Sequence, residues 1–431
     1  MERILLLVAQ GLVLLALNGA ARGDSYVEIT SFDADDAAFS AIHENPNNPD
    51  QLDLTVSTFN ANPLSTDEVY VIRDIGSKLG RSNLNSARQT LADGLLWPNE
   101  VEPVPEDVFG TDRYWWVANG FLVPGKTAGS IGVIEADSSC ESHPAPYHDL
   151  TTGSVTEHWW YHRVYFVDVD GDGRKDMLTA RADTSSASTT LAEMVYFSQP
   201  RMNPISTTWD VDTLFEGPDA LFRYEEIPMS PWVTRTAIFS TQYFAEKLVA
   251  SWSDDDQPNF KNLNHRTIEA IADNRYFDCE YVDINGDGRK DLLVSINSKS
   301  NGQLVVFEIP DNWATGTWTR HLIAEGFKPP GLVVTEGMGS PGTTFTFQPD
   351  GTYRNKPLIM LTGDDDSNIY VFESENDSDT NNWSYTKRSI FEATDGTVGA
   401  PTVHDLDGDG NVEVVIPCYS DGSVHVLTYE P

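Results

Sequence analysis

Three nine-residue segments place oxygen-bearing side chains at a spacing that suits a hard cation: Asp168–Asp176 (DVDGDGRKD), Asp283–Asp291 (DINGDGRKD) and Asp405–Glu413 (DLDGDGNVE). In each, positions 1, 3, 5 and 9 can converge on one calcium ion, and the carbonyl of position 7 can add a further ligand. The candidate side-chain ligands are Asp168, Asp170, Asp172 and Asp176; Asp283, Asn285, Asp287 and Asp291; and Asp405, Asp407, Asp409 and Glu413. The carbonyl donors are Arg174, Arg289 and Asn411. Glycines at positions 4 and 6 let the backbone wrap tightly enough to bring these groups together. An EF-hand is excluded, because its position 12 requires a bidentate glutamate and Thr179, Val294 and Ile416 stand there instead. The flanking residues are strand-like, so the loops are expected to join β-hairpins. A fourth acidic run, Asp33-Ala34-Asp35-Asp36, lacks both glycines and has Ala41 at position 9, and no ion is expected there.

A second group of residues could do organic chemistry. Glu157 to Arg163 reads EHWWYHR, placing His158, His162 and Arg163 beside Trp159 and Trp160. Aromatic faces suit sugar stacking, imidazoles move protons near neutral pH, and a guanidinium can pair with a carboxylate. With Arg275 and Tyr276, this set could run a uronate lyase or sugar dehydratase reaction, an arginine neutralising the acid and a histidine or tyrosine taking the α-proton. Trp115, Trp116 and Trp232 are further candidates for ligand contact. The competing expectation for all these aromatic residues is core packing. No nucleophile motif, phosphate-binding glycine loop or zincin helix occurs.

The elements that must hold these groups are short strands in a repeating unit. The three acidic loops start 115 and 122 residues apart, about twice the length of a four-stranded unit, so one degenerate copy is expected between each pair. Unit ends recur at Arg88–Gly94, Thr213–Gly217, Arg266–Asp273, Arg320–Gly326 and Arg388–Glu392, with a vaguer one ending at Gly153. Polar hairpins after apolar strands recur at Asp254–Asp256, Asp364–Asp366 and Asp421-Gly422. Helical periodicity is nearly absent. The expectation is an all-β, seven-bladed β-propeller over residues 24–431, one domain with four-stranded blades. The last unit is one strand short, and Ser25–Thr30 offers an orphan strand that would join it and close the ring.

Residues 1–23 have the form of a cleaved signal peptide: Arg3, an apolar run from Ile4 to Leu17 too short to span a bilayer comfortably, then small residues ending at Gly23. A secreted, extracellular protein with no membrane insertion follows from that reading. The formal net charge of −38 argues against nucleic acid and favours divalent cations or basic partners. Three cysteines, Cys140, Cys279 and Cys418, allow at most one intrachain disulfide. Asn376-Asp377-Ser378 and Asn382-Trp383-Ser384 are N-glycosylation sequons.

The DxDGDGxxD pattern of the three loops, with Asn285 and Glu413 as ligand-competent departures and Gly399-Ala400-Pro401 ahead of the third, resembles the VCBS/FG-GAP repeat family, relatives of the calcium-bearing blades of integrin α-subunit propellers. The resemblance covers nearly all of residues 24–431. It implies about three structural calcium ions and a recognition module for an extracellular glycan or protein. A carbohydrate-active lyase or dehydratase using the central channel is the second expectation. An acidic extracellular or mineral matrix protein, suggested by the charge, is the third.

Overall fold

A strand that is buried at every position, such as Asp291–Asn297 (DLLVSIN), is stable only where both faces of its sheet are covered. Radial packing of sheets supplies that cover. The computed structural model describes residues 25–430 apart from 124, 137–143, 153–157, 187–189, 231–232, 256–257, 332–336, 353 and 395. The expected signal segment, Cys140 and Trp232 therefore lie outside the described residues. Within them the chain forms seven four-stranded antiparallel sheets in a ring, a seven-bladed β-propeller. Blade one covers 37–95, blade two 98–149, blade three 159–216, blade four 222–269, blade five 275–327 and blade six 344–392. Blade seven combines 402–430 with Ser25–Asp33 as its outermost strand.

Closure occurs as the orphan strand suggested. Ser25–Asp33 runs antiparallel to Ser423–Glu430, from Ser25 opposite Glu430 to Asp33 opposite Ser423. The five better-defined unit ends fall on outermost strands of blades one, three, four, five and six. The acidic loops fall in blades three, five and seven, with one loop-free blade between each pair. One expectation needs correction. The expected hairpin at 254–256, whose last residue lies outside the described residues, falls between the third strand of its blade and the outermost, whereas 364–366 and 421–422 join second to third, so it lies on the opposite face of the ring from those two. An aspartate-rich turn follows any strand that leaves the core, whichever end it leaves by.

The apolar core is divided into seven clusters, one at each boundary between neighbouring blades. Strand alternation produces this division. Leu292, Val294 and Ile296 pack towards blade four, while Leu293, between them, packs towards blade six. The same rule separates adjacent tryptophans: Trp115 joins the cluster with blade one and Trp116 the cluster with blade three.

Each innermost strand runs down the channel wall from an upper face to a lower face. The connection to the second strand lies on the lower face, which therefore carries all three acidic loops. The run 33–36 connects the closing strand to blade one on the upper face, away from those loops.

Phe32, on the closing strand, is buried between blades seven and one. Phe32→Ala should cost about 3–5 kcal/mol in denaturant unfolding. An unchanged midpoint would mean that the ring holds without this strand.

Candidate functional site

The three acidic loops repeat one hydrogen-bond scheme. Asp168 accepts from the Gly171 and Gly173 amides at 2.8 and 2.9 Å, Asp170 from Asp172 at 3.1 Å, and Asp172 from Arg174 at 3.0 Å. Asp283, Asn285 and Asp287 do the same in blade five, and Asp405, Asp407 and Asp409 in blade seven. The paired glycines all have positive φ, 75° to 95°, the region that favours glycine. Position 9 opens the second strand and is buried: Asp176, Asp291 and Glu413 accept the amides of Val169, Ile284 and Leu406.

Carboxylate oxygens of Asp168, Asp170 and Asp176 lie within 4.8 Å of one another, as do those of Asp405, Asp407 and Glu413. Burial, with the neighbouring aspartates, pushes Asp291 and Glu413 up to about 7. A divalent cation is the group that lets such a set ionise together. The donor sets fit calcium: all oxygen, acidic, and carried on a preformed turn. The side chains of Arg174 and Arg289 have a separate role, binding the carbonyls of Gln199 and Ile309 and so tying each loop to the neighbouring turn of its own blade.

The channel wall carries charge in two layers. In the first, Arg163 of blade three meets both Glu100 oxygens of blade two through Nε at 3.0 Å and reaches Asp278 of blade five at 3.3 Å. Arg223 of blade four donates to the Cys279 carbonyl and lies 3.9 Å from Asp278. Burial opposes the charge on both Glu100 and Arg163, yet their pairing wins, holding the carboxyl below and the guanidinium above its ordinary value. Nearer the lower face are Glu102, Glu225 and Glu280. Protein walls enclose Glu102 although 45% of its side chain is exposed to the channel; this desolvation and the charge of Glu100 push it up to about 8. Burial likewise pushes Glu280 up to about 7.

The channel does not assemble the proposed catalytic set. His162 is buried, burial pushes its imidazole down to about 4, and its Nδ1 lies 3.9 Å from Glu100. Tyr276 is fully buried and donates to Glu269 at 2.9 Å, on the outermost strand of blade four. Arg275 sits over the Tyr243 ring and His158 is exposed ahead of its strand. Only His162 and Arg163 come together, through Glu100. Trp115, Trp116, Trp159 and Trp160 are buried, at 1, 4, 5 and 1% exposure. The rings of Trp115, Trp116 and Trp159 fill boundaries between blades, because each points sideways from its sheet rather than into the channel, whereas the buried Trp160 ring packs between Phe121 and Phe244 at the upper ends of the strands. This burial corrects their assignment to ligand contact.

Rings of which sequence reasoning had singled out Trp160 alone encircle much of the upper mouth. Phe39, Phe59, Trp97, Phe121, Trp160, Phe244, Tyr243 and Phe277 form a continuous series with centroid separations of 4.7 to 6.3 Å. They run from blade one to blade five at the upper ends of first and second strands. Phe39, Phe59, Phe121, Phe244 and Phe277 are only half-buried. A signal was present: an aromatic residue follows the end of the second strand in blades one, two and four, at Phe59, Phe121 and Tyr243.

One fully buried ion pair positions part of this arc. Asp67 accepts the Lys126 ammonium at 2.8 Å, the Trp97 amide at 2.8 Å and the Asn60 amide, next to Phe59. Lys126 also binds the Ser65 carbonyl, and its own carbonyl accepts the Phe121 amide. Gly120, with φ +91°, lets this loop lie on Trp160, since an added Cβ would come within 2.8 Å of the Trp160 Cβ.

Lys126→Met leaves a buried carboxylate without its cation and should cost about 3–5 kcal/mol, read by urea unfolding. Adding Asp67→Asn should recover part of that loss; no recovery would remove the pairing as its cause. In the channel, a carboxyl raised towards 8 keeps its proton in the folded chain while the unfolded chain has lost it. The contribution of Glu102 to stability should therefore be lost progressively as pH rises from the ordinary value of 4.5 to about 8. His162, pushed down to about 4, acts in the opposite sense only below about pH 6.5, where the unfolded imidazole is charged. Glu102→Gln should flatten the fall in denaturation midpoints above that pH, and an unaltered slope would mean that Glu102 is ionised throughout. No protein-family model matches this chain, and a search of curated proteins finds no match.

Proposed function

We propose that this chain is a secreted, calcium-stabilised propeller of the VCBS/FG-GAP kind that acts as an extracellular recognition module, presenting its upper channel mouth to a glycan or a protein. The observation that carries this reading is the arc of five half-buried rings around that mouth, held by the Asp67–Lys126 pair. Half-buried rings offer apolar area to a partner at little entropic cost.

The lower face supports the calcium part of the proposal. Asp168, Asp170, Asp172, Asp176 and the Arg174 carbonyl would hold one ion, with the matching residues of blades five and seven holding two more. When bound, calcium supplies the countercharge that buried position-9 carboxylates otherwise lack. The lyase or dehydratase reading has less support. Its mechanism needs an arginine free to meet a substrate carboxylate, and Arg163 is already paired with Glu100 and Asp278. Among the described residues no helix is long and apolar enough to cross a membrane.

Calcium should raise the unfolding midpoint, by about 2.7 kcal/mol for each site when free ion is a hundredfold above its dissociation constant. Chelator should reverse the gain, and Asp168→Asn with Asp405→Asn should abolish most of it. A midpoint indifferent to calcium and chelator would remove the ion from the proposal. Glycan arrays and pull-downs in calcium buffer test recognition, and an absence of any mouth ligand there counts against it.

A further inference from the structure

The aromatic arc leaves a gap. It ends at Phe277 in blade five and begins at Phe39 in blade one, so blades six and seven contribute none of its rings. Within the gap lies the turn Gly363–Ser367, which joins the second and third strands of blade six. Of its three consecutive aspartates, two are fully engaged in the fold. Asp365 accepts the Gly339 amide at 2.9 Å and the Thr397 hydroxyl at 2.6 Å. Asp366 accepts the Ser340 and Tyr370 hydroxyls, both at 3.1 Å, and the Asn368 amide.

Asp364 is different. No described residue donates a hydrogen bond to its carboxylate, and no described Lys, Arg or His forms an ion pair with it. Its backbone has φ +56°, in the left-handed region that a residue other than glycine occupies at a cost. Its Cβ lies 3.2 Å from where a Cβ on Gly342 would stand, and Gly342 leads into Thr344–Phe347, the innermost strand of blade six. The side chain therefore sits against the rim of the channel. Its carbonyl accepts the Val398 amide at 3.1 Å, and the next two residues, Gly399 and Ala400, pack on Ala38 and Ser40, which flank Phe39. On the other side, the Thr344 amide reaches Asp278, next to Phe277. Asp364 thus completes the circuit between the two ends of the arc.

We infer that this mouth binds a cationic side chain, lysine or arginine, from a basic segment of a partner protein. The cation seats against Asp364, and the flanking chain lies on the half-buried rings. The inference rests on the recognition reading above and selects a protein ligand within it. Rings attract cations through their faces, and the arc already contains an internal instance: the Arg275 guanidinium lies 5.0 Å above the Tyr243 ring and donates to its hydroxyl at 3.2 Å. A cation supplies what Asp364 lacks, because burial and the charges of Asp365 and Asp366 push this carboxyl well above its ordinary range. The whole surface favours such a partner, with 66 acidic residues against 28 basic ones, and would steer it at low salt. A sugar ring is the poorer fit. Most neighbouring rings in the arc meet at interplanar angles of 36° to 78°, so few broad faces stand open for a sugar ring to stack on.

The test uses the full chain in calcium buffer, with fluorescent oligo-arginine and oligo-lysine peptides, an oligo-glutamate peptide and a neutral gluco-oligosaccharide as probes, read by anisotropy. Binding of the basic peptides, weakened about tenfold or more in Asp364→Asn, is expected. Asparagine tolerates the left-handed backbone, so the variant should fold. Asp50→Asn, an exposed change on the lower face, removes the same charge and should leave binding unchanged. Phe244→Leu, which removes a ring while keeping apolar bulk, should weaken binding as well. Equal weakening by Asp364→Asn and Asp50→Asn would reduce the effect to net charge and overturn the inference, as would wild-type affinity in Asp364→Asn. Binding of the oligosaccharide without the basic peptides would overturn the inference and leave the recognition reading standing. Failure of every probe would overturn the inference and weaken that reading with it.

Discussion

Every blade of this ring buries both of its faces against neighbours, and this constraint settles where chemistry can reside. A strand such as Asp291–Asn297 has no solvent-facing side, so side chains available to a ligand are confined to the channel wall and to the two ends of the strands. The two ends differ because the chain enters each blade at the upper end of its innermost strand. Lower connections are hairpins whose turns can be tight, and three of them have become acidic loops. Upper connections link one blade to the next or cross over its top, and these carry the rings of the mouth.

That division also determines how much of the molecule was legible in its sequence. Loop spacing, the recurrent outermost strands and the orphan strand at Ser25 are local patterns of sequence, and each maps directly onto a blade. The position-9 carboxylates were legible as members of a recurring acidic loop for the same reason. Alternation along a strand states that Trp115 and Trp116 point to opposite faces, but it cannot distinguish a face turned to a neighbouring blade from one turned to open space. The mouth was harder still, since Phe39, Phe121 and Phe277 come from three blades and meet only after the ring closes. Asp67 and Lys126, 59 residues apart, leave no local trace of their pairing.

Within the channel, proximity decides the fate of charges that look reactive in isolation. Arg163 is a plausible partner for a substrate acid when read beside His162, but the curvature of the ring brings Glu100 and Asp278 to it first. Desolvation makes both charges costly alone, and their mutual pairing offsets that cost. The same narrowness raises Glu102 and Glu280, where the nearby charges of Arg163 and Arg223 offset only part of the desolvation. The channel is therefore a self-satisfied middle with an acidic lower end, and its openings carry the unsatisfied chemistry.

The Asp67–Lys126 pair illustrates why the mouth uses a buried ion pair where an apolar contact would seem simpler. Apolar side chains of similar volume could fill the space, and in many proteins such a replacement is neutral or stabilising. Here the carboxylate also accepts the Asn60 and Trp97 amides, and the ammonium also donates to the Ser65 carbonyl, all in connecting segments with no sheet to satisfy them. An apolar pair would leave those amides and that carbonyl buried without partners, each at a cost of about 1–3 kcal/mol. The ion pair therefore fixes three irregular segments at once, and the rings of Phe59, Trp97 and Phe121 take their places from it.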